Sequence, residues 1–250
     1  MILAIDCGNT RAKWGLRDAP APGALAHERR ENEPATWRER GARALAELGS
    51  LESDWSQIAQ PTRIAIANVA GPLARRALER ALRRFQAEPL WVTAQASQCG
   101  VTNGYADPSQ LGADRWAALI GAWHLYRGPS LVVTAGTATT VDMLSSGGLF
   151  RGGLILPGID LMKKALAENT AGLALARGVY AEEPRNTADA IESGCAHAQA
   201  GAIERVFAKL EAGAICFLSG GAAQKIAGRL NISLRVVDNL ALEGLARIVA

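Results

Sequence analysis

Residues 3–16 read LAIDCGNTRAKWGL. An apolar run reaches Asp6, the chain meets Gly8, Asn9 and Thr10, and a second run follows that carries Lys13 and Trp14. Residues 2–5 predict a buried strand, Gly8-Asn9 a turn, and residues 12–16 the returning strand of a hairpin. A second stretch, LVVTAGTATTVDML at 131–144, repeats this order at a shift of 128 residues. Each is an apolar strand, a polar residue, one spacer, Gly, and Thr-containing residues entering another strand. Read as a repeat, the pair gives a duplicated fold with two facing phosphate turns. Any two hairpins share this much, so the pair alone leaves both readings open.

The rest of the chain alternates the same elements. Residues 34–48, with Glu and Arg among Ala and Leu, predict a helix. RIAIANV at 63–69 predicts a buried strand, and Pro72 opens a helix over 73–85. Residues 90–93 predict a short strand, and the turn-rich NGYADPSQLG at 103–112 a loop. Helices are expected at about 113–126 and 158–168, and from an N-cap at Asn186-Thr187 to about 210. Strand 214–220, a helix at 221–230, strand LRVVD and a terminal helix close the pattern. DAPAPGA at 18–24 reads as a surface loop. Strands and helices recur in both halves, an α/β architecture.

Composition narrows the function classes. The 250 residues carry a formal charge of +3. The Arg pairs at 29–30, 75–76 and 83–84 have acids nearby and read as solvated faces, so no nucleic-acid partner is expected. Four cysteines, at 7, 99, 195 and 216, make no C-x-x-C, which argues against a disulfide framework or a zinc site and for a reducing compartment. No run approaches the roughly 18 apolar residues of a membrane span. Asp6 interrupts the first apolar run too soon for a signal peptide. A cytoplasmic location is expected.

No G-x-x-x-x-G-K-[ST], no G-x-G-x-x-G after a strand and no H-R-D occurs. A phosphate would need another device, and the opening cluster offers one. Gly8 leaves room for an anion to approach the backbone. Asn9 and Thr10 bring side-chain donors, Lys13 a positive charge, and Asp6 a carboxylate able to hold Mg2+ through water. A hairpin turn with an incidental acid is the competing reading. The second turn, Gly136-Thr137-Ala138-Thr139, weakens it, since two such turns could clamp one triphosphate. GADRW at 112–116 opens a helix, where Asp114 could accept a proton from a hydroxyl and Arg115 could grip an anion. Equally, Asp114 could only stabilise a first turn and Arg115 only charge a surface. LSGGAA at 218–223, with Gly220 and Gly221, suits adenosine packing or a plain tight turn.

Taken together, these clusters resemble the type III pantothenate kinases over essentially the whole chain. The family's D-x-G-N-T-x-x-K stands as residues 6–13, its G-x-D-R as Gly112-Ala113-Asp114-Arg115 after Tyr105, and its G-G-x-I-x-P-G as residues 152–158. Its second phosphate motif, usually D-x-G-T-A-x-T-x-D, stands as residues 134–142, with Thr134 in place of the first aspartate. The resemblance implies two ribonuclease-H-like (actin-like ATPase) domains with mixed sheets and flanking helices, expected at 1–114 and 115–250. It implies ATP-dependent phosphorylation of pantothenate, the first step of coenzyme A biosynthesis, by a cytoplasmic homodimer. Asp114 would be the general base. Tyr105, Gly112, Ala113, Asp114 and Arg115 would hold pantothenate, helped by Thr187 of the second subunit, with Thr170 as second choice. Asp6, Gly8, Asn9, Thr10, Lys13, Gly136, Thr137, Gly220 and Gly221 would bind ATP with Mg2+. The missing aspartate helps the family hold K+ or NH4+. A neutral Thr134 therefore implies weak or altered dependence on a monovalent cation. A non-catalytic or regulatory relative, or another kinase or ATPase of the superfamily, is the alternative.

Overall fold

The computed structural model describes residues 1–19, 36–173 and 177–250. These divide into two compact units. Unit 1 holds Met1–Arg127, Gly147–Arg151 and Asn239–Ala250, and unit 2 holds Gly128–Ser146 and Gly152–Asp238. The expected boundary at 114/115 is corrected by this division. It falls inside a helix, Ala113–Leu125, whose buried side chains belong to unit 1.

In unit 1, β1 (Ile2–Cys7) runs antiparallel to β2 (Arg11–Arg17), with Asp6 opposite Lys13. Strand β3 (Glu39–Ala44) pairs antiparallel with β2. After the short α1 (Leu51–Asp54), β4 (Arg63–Asn68) lies parallel to β1. Helix α2 (Pro72–Leu82) then leads to β5 (Pro89–Trp91), parallel to β4. The order is β3-β2-β1-β4-β5. Strand β1 is central, which is why Ile2, Leu3, Ala4 and Ile5 are all fully buried. Strands β6 (Ser97–Gln98) and β7 (Val101–Asn103) precede α3 (Ala113–Leu125).

In unit 2, β8 (Ser130–Ala135) runs antiparallel to β9 (Ala138–Leu144). Strand β10 (Leu149–Pro157) begins in unit 1, where Leu149 and Phe150 pair with Thr102 and Asn103, and continues beside β9. Helices α4 (Ile159–Asn169) and α5 (Thr187–Phe207) lead to β11 (Ile215–Ser219), parallel to β8. Helix α6 (Ala223–Ala227) and β12 (Leu234–Val236), parallel to β11, complete the unit. The order β10-β9-β8-β11-β12 reproduces β3-β2-β1-β4-β5 strand for strand, with matching directions in the paired strands. This agreement of topology supports duplication over chance likeness of two hairpins. The last helix, α7 (Leu240–Ile248), packs on α3 in unit 1. Gly121 and Gly244 allow the close approach, since a Cβ on either would strike the carbonyl of Leu240 or Ala117.

The helix expected at 34–48 is corrected. Residues 39–44 form the edge strand β3, followed by a 3-10 turn over Leu45–Ser50; residues 34 and 35 lie outside the described residues. Packing overrides propensity here. The Trp14 indole lies where a Cβ on Gly41 would stand, and Trp37 covers Gly15 in the same way. Arg43 fixes the strand through a two-pronged pair with Asp54 at 2.6 and 2.7 Å. The helix expected at 221–230 shortens to Ala223–Ala227, and Asn103, the first residue of the loop expected at 103–112, ends strand β7. The loop expected at 18–24 lies outside the described residues beyond position 19, as does the Arg29-Arg30 pair. Arg75 pairs with Glu79 and stacks on Trp91, and Arg84 donates to carbonyls of Ser56 and Ile58. Among the described residues, no helix is long and apolar enough to cross a membrane.

Candidate active site

The β1–β2 hairpin decides where the first charges stand. Opposed residues of an antiparallel pair put their side chains on one face, so Asp6 and Lys13 are neighbours. Helix α3 brings the second carboxylate. Burial pushes the Asp6 carboxyl up to about 6, and the Asp114 charge adds to this, while Lys13 and the Asn239 amide pull the other way. Asp6, Lys13 and Asp114 thus form one charged cluster in unit 1, with the neutral Asn239 amide within electrostatic reach of Asp6. Asn239 was missed by sequence reasoning. An Asn before an apolar run reads as a helix cap, and nothing local reveals its distant neighbour.

At the turn, the Gly8 N–H donates to the Arg11 carbonyl at 3.0 Å, closing the hairpin. Gly8 therefore contributes room more than a donor. Its φ is not in the left-handed region, and a Cβ there would meet only the Arg11 carbonyl oxygen, at 3.8 Å. Asn9 and Thr10 are exposed at the tip. The protein itself tolerates a methyl at Gly8, so Gly8→Ala should leave the melting temperature unchanged. If phosphate occupies that space, ATP affinity should fall about tenfold or more, the effect of roughly 1.4 kcal/mol of lost contact or added clash. Calorimetric titration beside a melting curve checks both; native affinity in the variant would remove Gly8 from the site.

Helix α3 starts after Gly112, and Asp114 lies in its first turn with Oδ1 accepting from the Arg115 N–H at 2.8 Å. Helix N-termini favour carboxylates, which explains the fold-back. A Cβ on Gly112 would stand 2.6 Å from that same oxygen. Arg115 is buried, and its Nη1 donates to the Tyr105 hydroxyl at 3.2 Å. Its guanidinium lies 5.9 and 5.8 Å from the ring centroids of Tyr105 and Phe150. The loop that carries Tyr105 is set by Asn103, whose Oδ1 accepts from the Tyr105 N–H at 3.0 Å and whose Nδ2 donates to the Pro108 carbonyl at 3.3 Å. Tyr105, Gly112, Ala113, Asp114 and Arg115 are thus brought together.

Unit 2 carries the second turn. The Gly136 N–H donates to the Ala138 carbonyl at 3.0 Å. Gly158, at the start of α4, donates to the Thr137 carbonyl at 2.9 Å, and a Cβ on it would stand 2.7 Å from that oxygen. Gly220, with φ +98°, passes the Ala135 carbonyl too closely for a side chain, and the Ala222 N–H donates to that carbonyl at 3.1 Å. Gly136, Thr137, Gly220 and Gly221 therefore stand together at one end of this sheet. Gln199, fully buried in α5, braces the turn through a 2.8 Å bond to the Pro157 carbonyl. Thr134 pairs with Thr140 and lies beside Ser219. Thr187 is exposed in the first turn of α5, capped by the Asn186 side chain at 2.9 Å from the Asp189 N–H. Thr170 is exposed at the end of α4, its hydroxyl donating to the Leu166 carbonyl at 2.7 Å.

The two turns differ by one residue. Asp6 faces Lys13 in the first hairpin, but Thr134 faces Thr140 in the second, so the position aligned with Lys13 by the ungapped repeat, Val141, is buried instead. The second hairpin carries neither the aspartate nor the lysine of the first.

Mg2+ fits the unit 1 cluster. The cation favours one or two carboxylates with waters and phosphate oxygens, and its charge there would offset the burial and the Asp114 repulsion that raise Asp6. Among the described residues no group of three or more His, Cys, Asp or Glu forms a dedicated metal cage, and the four cysteines are free.

Two hairpin-plus-crossover units of identical strand order define an actin-like ATPase and sugar-kinase fold. Solved structures share it. One from Campylobacter jejuni, bearing the name Baf family transcriptional activator, superposes with a TM-score of 0.60 at 20% identity over 99% of this chain and 96% of its own. Another from Sinorhizobium meliloti, bearing the name 2-dehydro-3-deoxygalactonokinase, gives 0.56 at 14% identity over 99% and 98%. The chain belongs to the type III pantothenate kinase family, whose model matches residues 2–209. It is 46% identical over 253 residues to the type III pantothenate kinase of Nitrosospira multiformis, covering 99% of this chain and 90% of that protein.

Proposed function

We propose that this protein transfers the γ-phosphoryl group of ATP to the terminal hydroxyl of pantothenate, giving 4'-phosphopantothenate at the first step of coenzyme A biosynthesis. The observation that carries this reading is the coincidence, in a chain of this family, of the Asp6–Lys13–Asp114 cluster with the Tyr105–Arg115 pair in one unit. Phosphoryl transfer asks mainly for positioning and charge neutralisation. Asp6 holds Mg2+ through water, and Lys13 neutralises phosphate oxygens beside Gly8, Asn9 and Thr10. Gly136, Thr137, Gly220 and Gly221 of the second unit are also assigned to ATP. Bound Mg2+ supplies charge stabilisation to the phosphates. Arg115, held by Tyr105, grips the pantothenate carboxylate, and Gly112 and Ala113 shape the space beside Asp114. Asp114 orients the hydroxyl and takes its proton. Thr187 serves the site of a second subunit in a homodimer.

An ADP-release assay over a panel of alcohols tests this reading: pantothenate should be phosphorylated and simple alcohols and sugars should not. Absence of ADP release with every alcohol would instead mark a non-catalytic relative. The same assay tests the cation. A hydroxyl and backbone carbonyls at Thr134 offer a monovalent ion dipoles without charge, so dependence on K+ or NH4+ should be weak. Initial rates against KCl at constant ionic strength measure it, and saturable activation of about tenfold, some 1.4 kcal/mol, would overturn the expectation.

A further inference from the structure

We propose that Asn103 is a positioning residue of the acceptor site: its side chain clasps the loop from Gly104 to Leu111 and so fixes Tyr105 where its hydroxyl holds the Arg115 guanidinium. This rests on the assignment of Arg115 to pantothenate above. Asn103 ends β7 opposite Phe150 and is only 8% exposed. Its backbone N–H donates to the Ala96 carbonyl at 2.9 Å, which anchors the residue before the loop begins. Each end of its amide then has a partner. Oδ1 reaches two residues on, to the Tyr105 N–H at 3.0 Å, and Nδ2 crosses to the Pro108 carbonyl at 3.3 Å. These partners fix which end of the amide is which. Pro108 opens the short 3-10 turn that leads to Gly112 and α3. One side chain thus ties the residue that meets Arg115 to the segment that delivers Arg115.

Residues 104–110 are exposed or half-buried, so no apolar core sets their path. Gly104 passes the Phe150 carbonyl too closely for a side chain, which lays the start of the loop against Phe150. The Tyr105 ring then packs on the Phe150 ring with centroids 5.1 Å apart, and its hydroxyl meets Arg115. A guanidinium grips a carboxylate through a planar fork, so a small rotation of Arg115 spoils the grip. Asn is a poor strand residue, and β7 gives no reason for it. Asp would offer the Tyr105 N–H an acceptor but the Pro108 carbonyl no donor, and Ser is too short to span both. The amide at 103 is explained by the two ties it makes across the loop.

A positioning role and a purely structural one differ in which substrate feels the change. In the full-length protein, Asn103→Ala should raise KM for pantothenate about tenfold or more, since a displacement of about 1 Å in a positioning group can cost on the order of 10^2-fold. KM for ATP should stay native, and kcat should change less than KM for pantothenate does, as when binding alone is lost. Asn103→Ser keeps a weaker acceptor for the Tyr105 N–H and should fall between the native and alanine values; it also guards against a folding failure of the alanine variant. In Tyr105→Phe, which lacks the hydroxyl, adding Asn103→Ala should raise KM much less than it does in the native chain, because both act on one contact. A native KM for pantothenate in the folded Asn103 variants, an equal rise for both substrates, or full additivity with Tyr105→Phe overturns the proposal. Arg115→Lys tests the reading beneath it. An unchanged KM for pantothenate there removes Arg115 from the acceptor site, and this proposal with it.

Discussion

Asp114→Asn should bind ATP as the native protein does and turn over about 10^2- to 10^4-fold more slowly, the usual contribution of a positioned general base. The substitution is close to isosteric. The amide oxygen can still accept from the Arg115 N–H, now at 2.8 Å, so α3 should keep its start. Losing the carboxylate charge from the first turn costs at most about 1 kcal/mol in helix-dipole energy. Proton acceptance is what disappears. The change also removes the repulsion that Asp114 exerts on Asp6, so Mg2+ and nucleotide should bind no less well. Steady-state turnover by ADP release, beside a calorimetric ATP titration, separates the two effects. Unchanged turnover would remove Asp114 as the base; lost ATP binding would move it into the nucleotide site.

Asp6→Asn should make the ligand-free protein more stable at pH 8 and inactive. The carboxyl is raised from 3.8 to about 6, chiefly by burial and next by Asp114. Between these values the folded state holds a proton that the unfolded chain has released. Stability is therefore greatest below the unfolded value, falls as pH rises through the window from 3.8 to about 6, and stays reduced above it. A shift of this size corresponds to roughly 3 kcal/mol, and because Asp6 is only partly buried by area a cost of about 1–3 kcal/mol is the better range. Asparagine carries no such cost. Denaturation curves of both proteins should coincide near pH 4 and separate by pH 8, with the variant ahead. A native protein as stable as the variant at pH 8 would show that Asp6 carries no such penalty. The same variant should lose the Mg2+-dependent part of nucleotide affinity, so the destabilising carboxylate is explained by what it binds.

Much of this was legible in local sequence. The hairpin at 2–17, the second turn at 136–138 and the start of α3 follow from apolar runs ended by Gly, Asn or Asp, because strand and helix ends are set by backbone rules that act over a few residues. The charged cluster was legible in part, since Asp6 and Lys13 fall opposite each other once the turn is placed. Strand β3 was not, because Ala, Leu, Glu and Arg favour a helix and only Trp14 and Trp37, stacked over Gly41 and Gly15, make the strand the better packing. Asn239 was legible as a cap and invisible as a neighbour of Asp6.

The sequence by itself determined most of the elements and the family, because these are written in spacing and in motif; the duplication it left open, and the matching strand order of the two units supports it. Tertiary structure alone decided three things. It set the second hairpin one residue shorter, because burying Val141 fixes the register and leaves Thr140 to face Thr134. It returned the last helix to the first unit, because Gly121 and Gly244 let α3 and α7 approach backbone to backbone. And it brought Asn239 from across the chain within electrostatic reach of Asp6, an approach made by packing between distant segments, which no local pattern of residues encodes.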